Sequence, residues 1–300
     1  MTVANHSLDK EARIGFLSAL GAFSLWGFAP LYFKLLGDVF AIEIIAHRVI
    51  WSVVLLALVL VMRHRSAFFA HIRCDGKTLG YLLLSGLLVG SNWLIFVYAV
   101  NSDRVLSTSL GYFINPLVSV LLGMLVFRER LTGLQGLAVI LATLGTLYLT
   151  VSGGYFPWIA LSLAISFGLY GTIRKKLDVG PMVGLFWETL LVLPLALGWL
   201  AFAATTGTLS AQWVEVSDSL ILMGTGLMTV LPLILFAAGV RRLNLSTIGF
   251  MQYIAPSLSF CMAVFVFKEK FTMDHAVTFG LIWAGLCLYS VSSWVNRVRY

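Results

Sequence analysis

Charge is what this chain of 300 residues has least of: Asp, Glu, Lys and Arg make up 11% of it, against 60% hydrophobic residues. A soluble domain carries roughly 25% charged residues, so a water-soluble globular chain is excluded and a membrane protein is expected. Cysteine is almost missing. Cys74, Cys261 and Cys287 are odd in number and far apart, which argues against a disulfide framework or a thiolate metal site. No P-loop, metal-ligand spacing or dinucleotide fingerprint occurs, so no metal, no cofactor and no ATP-driven step by this chain alone is expected. The opening MTVANHSLDKEARIG has balanced charges, with no basic patch leading into a short apolar core and a small-residue cleavage site. A cleaved signal peptide is therefore not expected.

What is present is long apolar runs. A helix needs about 20 mostly apolar residues to cross the hydrocarbon. Ten segments qualify, at about 14–36, 41–62, 79–101, 106–127, 132–151, 157–177, 181–204, 218–241, 244–267 and 273–295. Lipid leaves backbone groups no partner but the segment itself, so these runs are helices, and no alternating ten-residue strands suggest a barrel. The formal charge of +7 does not imply nucleic acid. Its Lys and Arg gather at one set of span ends, 15 of them from Lys10 to Arg299, while the other set holds only Arg104, Lys268 and Lys270. The positive-inside rule then puts both termini in the cytoplasm. The clusters at 174–176 and 241–242 read as orientation signals that also meet anionic lipid headgroups. The triplets RER (128–130) and KEK (268–270) read as anchors of span ends.

The chain also repeats itself. YFINPLVSVLLGMLVFRERLT (112–132) answers QYIAPSLSFCMAVFVFKEKFT (252–272) at a constant shift of 140, pairing Pro116 with Pro256, Phe127 with Phe267 and Glu129 with Glu269. Gly145 answers Gly285 at the same shift, and FSLWG (23–27) answers FGLYG (167–171) at 144. Five spans is an odd number, so the second copy enters the membrane from the opposite side. The expected fold is an all-α integral membrane protein of ten transmembrane helices, built as two inverted five-helix repeats over 1–151 and 152–300. Inverted repeats mark secondary transporters, with a site near the midplane where the copies meet.

These residues resemble the drug/metabolite transporter superfamily, and within it the EamA-type ten-helix members. WGFAPLYFKLL (26–36), EIIAHRVIWS (43–52), NWLIFVYAVN (92–101), SLGYFINPL (109–117) and GFMQYIAPSL (249–258) are similar to RarD proteins. The resemblance covers nearly the whole chain. It implies a permease of the bacterial inner membrane, from a family linked to chloramphenicol sensitivity.

Polar residues inside the spans are the candidate site. His47 and Arg48 stand in AIEIIAHRVIWSVVLLALVLVM (41–62), with Arg48 about 10 Å from the end of its span at 1.5 Å per residue. An arginine at a helix centre costs about 2.5–3.5 kcal/mol on the insertion scale, so it must face the bundle interior. Its role is either to receive a solute or to tie helices together. Glu188, in the repeat counterpart of that span, is the one acid well inside a span. It is a candidate proton carrier, with His47 a second; equally, it serves only to neutralise Arg48. Pro116 and Pro256, near the middle of their spans, mark expected helix bends that free the carbonyls of Tyr112 and Gln252, with Asn115 and Tyr253 alongside. Trp26, Asn92, Trp93 and Tyr170 complete the expected cavity lining. The pairs Gly86/Gly90 and Gly180/Gly184 suggest close helix contact, not a dimer.

The leading expectation is a secondary transporter of a small organic solute, anionic or aromatic, working by alternating access with proton coupling or exchange. A lipid-flippase-type protein is the alternative. A membrane-embedded enzyme would need a fuller set of titratable groups than His47, Arg48 and Glu188 supply.

Overall fold

The computed structural model of the chain describes residues 2–65, 68–127, 133–152, 154, 156–210, 216–240, 242 and 251–298. The described residues fold as helices because a lipid-facing backbone has no other way to pair its N–H and C=O groups. In order they are α1 (Thr2–Lys34), α2 (Ala41–His64), the short α3 (Phe68–His71), α4 (Gly76–Asn101), α5 (Val105–Phe127) and α6 (Gly133–Ser152). Then come α7 (Trp158–Lys176), α8 (Pro181–Thr206), α9 (Val216–Val240), α10 (Ile254–Cys261) and α11 (Met273–Val298). Local chemistry sets several ends. Asp75 caps α4 by accepting from the Thr78 amide at 3.3 Å. Pro181 opens α8, where its missing N–H is not needed, and Gly207 closes it in the left-handed region at φ 67°.

Large apolar side chains face outward as well as inward, unlike those of a soluble protein. Leu195 and Ile140 are 61% and 55% exposed, while Ser52, Ser85, Asn92, Thr225 and Thr229 are buried between helices. Such a surface is stable against lipid tails and not against water. Five helices carry an apolar window long enough to cross a bilayer: Arg13–Lys34 in α1, all of α2, α4 and α8, and Ser219–Phe236 in α9. The protein is a multi-pass, all-α membrane fold.

One expected span differs in its described part. The run expected as a continuous helix over 244–267 breaks at Gln252–Tyr253, and α10 starts again at Ile254. Pro256 stands in the first turn of α10, where a missing N–H is tolerated, rather than bending an unbroken helix. A π-turn (Met262–Val266) follows directly. Its counterpart α5 stays helical through Pro116, whose side chain lies outside the described set, as do the RER triplet and residues 243–250.

The packing maps onto itself when α1, α2, α4, α5 and α6 are exchanged for α7, α8, α9, α10 and α11. Helix α1 packs on α9 as α7 packs on α4, and α2 packs on α9 as α8 packs on α4. Likewise α1 meets α10 as α7 meets α5, while α2–α8, α5–α10 and α6–α11 are each paired with their own counterpart. The correspondence reaches single residues. A Cβ on Gly145 would stand 3.1 Å from the Thr278 carbonyl, and one on Gly285 would stand 2.8 Å from the Ala138 carbonyl. Residues 138 and 145 are 140 positions before 278 and 285, so the α6–α11 contact is reciprocal. Only glycine lets backbones approach this closely.

The ends of the bundle are closed differently. At one, Arg242 pairs with Glu11 at 2.8 Å, and Trp187 Nε1 donates to the Ile72 carbonyl at 2.6 Å. At the other, Lys34 pairs with Asp103. Here Glu269 accepts from the amides of Val105 and Leu106 at 2.6 and 2.8 Å, satisfying two of the open N–H groups of α5. The KEK triplet thus anchors a span end through its carboxylate alone.

Candidate functional site in the helix bundle

Arg48 projects from α2 into the α2–α9 contact and is 6% exposed. Its Nε donates to Thr229 Oγ1 at 2.6 Å, and Thr229 returns its own proton to the Thr225 carbonyl at 3.1 Å. The guanidinium lies 4.1 Å from the Trp93 ring centre and 5.5 Å from that of Phe33. Delocalised charge over an aromatic face is partly compensated without a counter-ion. Tyr112 sits within electrostatic reach of Arg48 and 5.9 Å from the Phe96 ring. Among the described residues no carboxylate pairs with Arg48, and its terminal nitrogens have no protein acceptor. That leaves a planar fork of donors matched to a carboxylate or phosphate.

Glu188 is 1% exposed and lies at the meeting of α8, α4 and α7. It does not pair with Arg48. Its cation is Arg174, from the end of α7, with Nε 3.5 Å from Oε1. Ser85 donates to Oε1 at 2.6 Å and Tyr170 to Oε2 at 3.4 Å. Two glycines make the cluster possible. At Gly86 a Cβ would stand 2.8 Å from the Glu188 carbonyl, so α4 and α8 touch there. At Gly184, one turn before Glu188, a Cβ would collide with the Arg174 guanidinium. The slot that lets Arg174 lie along α8 is therefore the missing side chain of Gly184. Contrary to the GxxxG expectation, Gly184 meets a side chain and not a helix, and neither Gly90 nor Gly180 would bring a Cβ within 4 Å of anything.

The expected site residues fall into two clusters and several outliers. Arg48 joins Trp93 and Tyr112; Glu188 joins Tyr170. His47 is buried beside Arg48 in sequence, one turn from Glu43. Glu43 itself accepts from the Ser210 amide and hydroxyl at 3.1 and 2.8 Å, tying a loop to the start of α2. Asn92 gives both its protons to α7, to the Leu163 carbonyl and Ser166 Oγ at 2.9 Å each, and so clamps two helices. Trp26 packs apart from both clusters, against Phe23 and Phe236. Tyr253 stacks on Phe113 with ring centres 6.4 Å apart, beside Gln252 at the helix break. Asn115 is buried with its Oδ1 unpartnered. Lys34, the last residue of α1, pairs with Asp103 and joins neither cluster.

Sequence reasoning passed over Arg174, Ser85, Thr229 and Phe33. Arg174 was hidden in a run of three cations that doubles as an orientation signal. A small residue one turn below a buried acid, as Gly184 is below Glu188, was the available sign that a long cation lies there. A cavity of about 350 Å³ opens at the Glu11–Arg242 end, where Arg63, Gly180, Pro181 and Arg242 meet. Neither it nor the cavity at the opposite end is lined by Arg48 or Glu188, which are sealed between helices.

A bundle that is apolar outside, with ionisable groups held between its spans, has the build of a polytopic membrane carrier. The chain belongs to the EamA-like transporter family, whose model matches residues 13–151 and again 156–291. It is 46% identical over 283 residues to an uncharacterized transporter of Vibrio cholerae, covering 94% of each chain. It is 42% identical over 290 residues to the protein RarD of Escherichia coli, covering 97% of this chain and 98% of that one. A solved crystal structure at 18% identity shares the fold, with a TM-score of 0.61 over 91% of this chain and 96% of that chain. The protein is thus a multi-pass transporter of the bacterial inner membrane.

Proposed function

We propose that the chain is a permease for a small organic anion, working by alternating access between two inverted halves, 1–151 and 152–300. Both termini lie in the cytoplasm in this reading. The observation that carries it is Arg48: a buried cation with no carboxylate partner among the described residues, its donor fork open, under the Trp93 face. A structural arginine is satisfied by protein acceptors on all sides. One left half-satisfied inside a bundle awaits a partner that comes and goes. Trp93, Phe33 and Tyr112 give that partner an apolar, aromatic setting. Neither of the two end cavities is lined by Arg48.

Glu188 supplies the coupling. It stands on α8, the span that answers α2, and its carboxylate is held by Arg174, Ser85 and Tyr170. A proton that neutralises Glu188 also releases Arg174, and the α7–α8 contact loosens. The cycle needs no enzyme chemistry, cofactor or metal.

The test is counterflow in sealed liposomes with three membrane-impermeant probes: phenyl phosphate, benzenesulfonate and, as a control, benzyltrimethylammonium. The two anions exchange and the cation does not. Arg48→Gln lowers anion exchange at least tenfold while the protein still inserts. Cation exchange alone, or anion exchange indifferent to Arg48→Gln, would remove the proposal.

A further inference from the structure

Three cations break the charge asymmetry of the loops, and they meet in one place. Arg104, Lys268 and Lys270 come from distant parts of the sequence, yet all line a cavity of about 510 Å³ at the end of the bundle away from Arg242. It lies between the starts of α5 and α7 and the turn after α10. Its volume is within the usual range of small-molecule sites, roughly 300–1,000 Å³. Cations are scarce at this end, so their convergence on a single hollow asks for a reason.

The carboxylates present do not supply one. Asp103 and Glu269 share the cavity, but Asp103 is taken by Lys34 and Glu269 by the two amides of α5. Among the described residues Arg104, Lys268 and Lys270 form no ion pair. The field has a further source. Helix α7 starts after Pro157 with no side-chain cap, although the Trp158 amide donates to the Phe156 carbonyl at 2.8 Å, and its positive dipole end faces the same space. Trp158 and Phe156 line the hollow as an apolar wall.

The turn carrying the lysines is set rather than loose. Lys268 is held at φ 56°, a strained value for a residue with a Cβ, between hydrogen bonds from the Phe267 amide to Met262 O at 2.8 Å and from the Glu269 amide to Ala263 O at 2.9 Å. This is the left-handed close of a helix end, and it fixes the path of the chain between Lys268 and Lys270.

We infer that this cavity is a second anion-binding site, for a phosphate, sulfonate or carboxylate group carried on an aromatic or apolar body. Its service as a vestibule for transported solute rests on the permease reading; the binding itself does not.

Calorimetry on the full-length protein in neutral phosphatidylcholine nanodiscs tests it, with phenyl phosphate as the probe. Wild type shows binding that weakens steeply with salt. The variant R104Q/K268Q/K270Q loses this component at least tenfold, and the charge-keeping variant R104K/K268R/K270R restores it, which a merely misfolded protein would not do. Arg48→Gln leaves it in place. Binding untouched in the triple Gln variant overturns the inference, and if Arg48→Gln then abolishes it, the central reading survives alone. Loss in the triple variant with no effect of Arg48→Gln in either calorimetry or counterflow keeps the cavity and removes the central reading. Nanodiscs containing phosphatidylglycerol separate the sources: competition makes a lipid headgroup the occupant, and unchanged binding makes it a free solute. An anion site stands in both cases.

Discussion

Arg48 on α2 and Glu188 on α8 are both buried, yet they are satisfied in opposite ways. The carboxylate has a cation, a hydroxyl and a phenol; the guanidinium has one threonine and two aromatic faces. On the proposed permease reading, this asymmetry divides the labour between coupling and recognition. Gly184 gives a sharp test of the first. Gly184→Ala should reproduce Arg174→Gln, because both deprive Glu188 of its cation. Each should lower uptake driven by an imposed pH gradient by a similar factor, and the double variant should be no worse than either single one. An additive loss would show that Arg174 and Gly184 act separately. The presence of two ionisable positions was legible in the sequence, since charge in an apolar run has few explanations. Their partners were not. Pairing depends on which helices touch, and Arg174 reaches Glu188 across a helix contact that local spacing does not encode.

Individual helices carry two further expectations. Asn92 spends both its protons on α7, so it holds α4 in place rather than facing solute. Asn92→Leu should cost about 1 kcal/mol of stability, as interhelical hydrogen bonds in membranes do, and leave counterflow within twofold of wild type. Reversible unfolding and the transport assay read these separately. Glu269 caps α5, and burial holds its carboxyl above the usual carboxylate range, with Asp103 adding to the effect. The two backbone donors and Lys34 pull the other way and only partly offset it. The sign follows from linkage: a carboxyl raised by closure takes up protons on closing, so acid favours the closed end. That stability is fully present below the ordinary carboxylate value and fades as pH rises through the raised one. Hydrogen exchange at Val105 and Leu106, corrected for intrinsic rates, should therefore show protection falling over that interval. In Glu269→Gln the same amides should show no such trend. Most span positions could be read from hydropathy, because length and composition alone define them. The break at Gln252–Tyr253 could not, since a proline in an apolar run fits a bend as well as a restart.

Across the bundle, reciprocal contacts at Gly145–Thr278 and Gly285–Ala138 bind α6 to α11. Gly145→Leu and Gly285→Leu should lower thermal stability by similar amounts, because each forces the same pair of backbones apart. Unequal losses would mean that the α6–α11 contact is symmetric in outline only. The reciprocal packing was readable in the sequence because matched residues kept one shift through 116/256, 129/269 and 145/285. The separation of the polar residues into two clusters was not readable, since it arises from helix rotation about each axis. The interruption at Gln252–Tyr253 has a kinetic consequence. On the alternating-access reading, a helix break at Gln252–Tyr253 that α5 lacks makes the two half-cycles unequal in speed. Net flux still follows the gradients, but reorientation in one direction becomes the slow step, and pre-steady-state currents or fluorescence should decay with different time constants on the two sides.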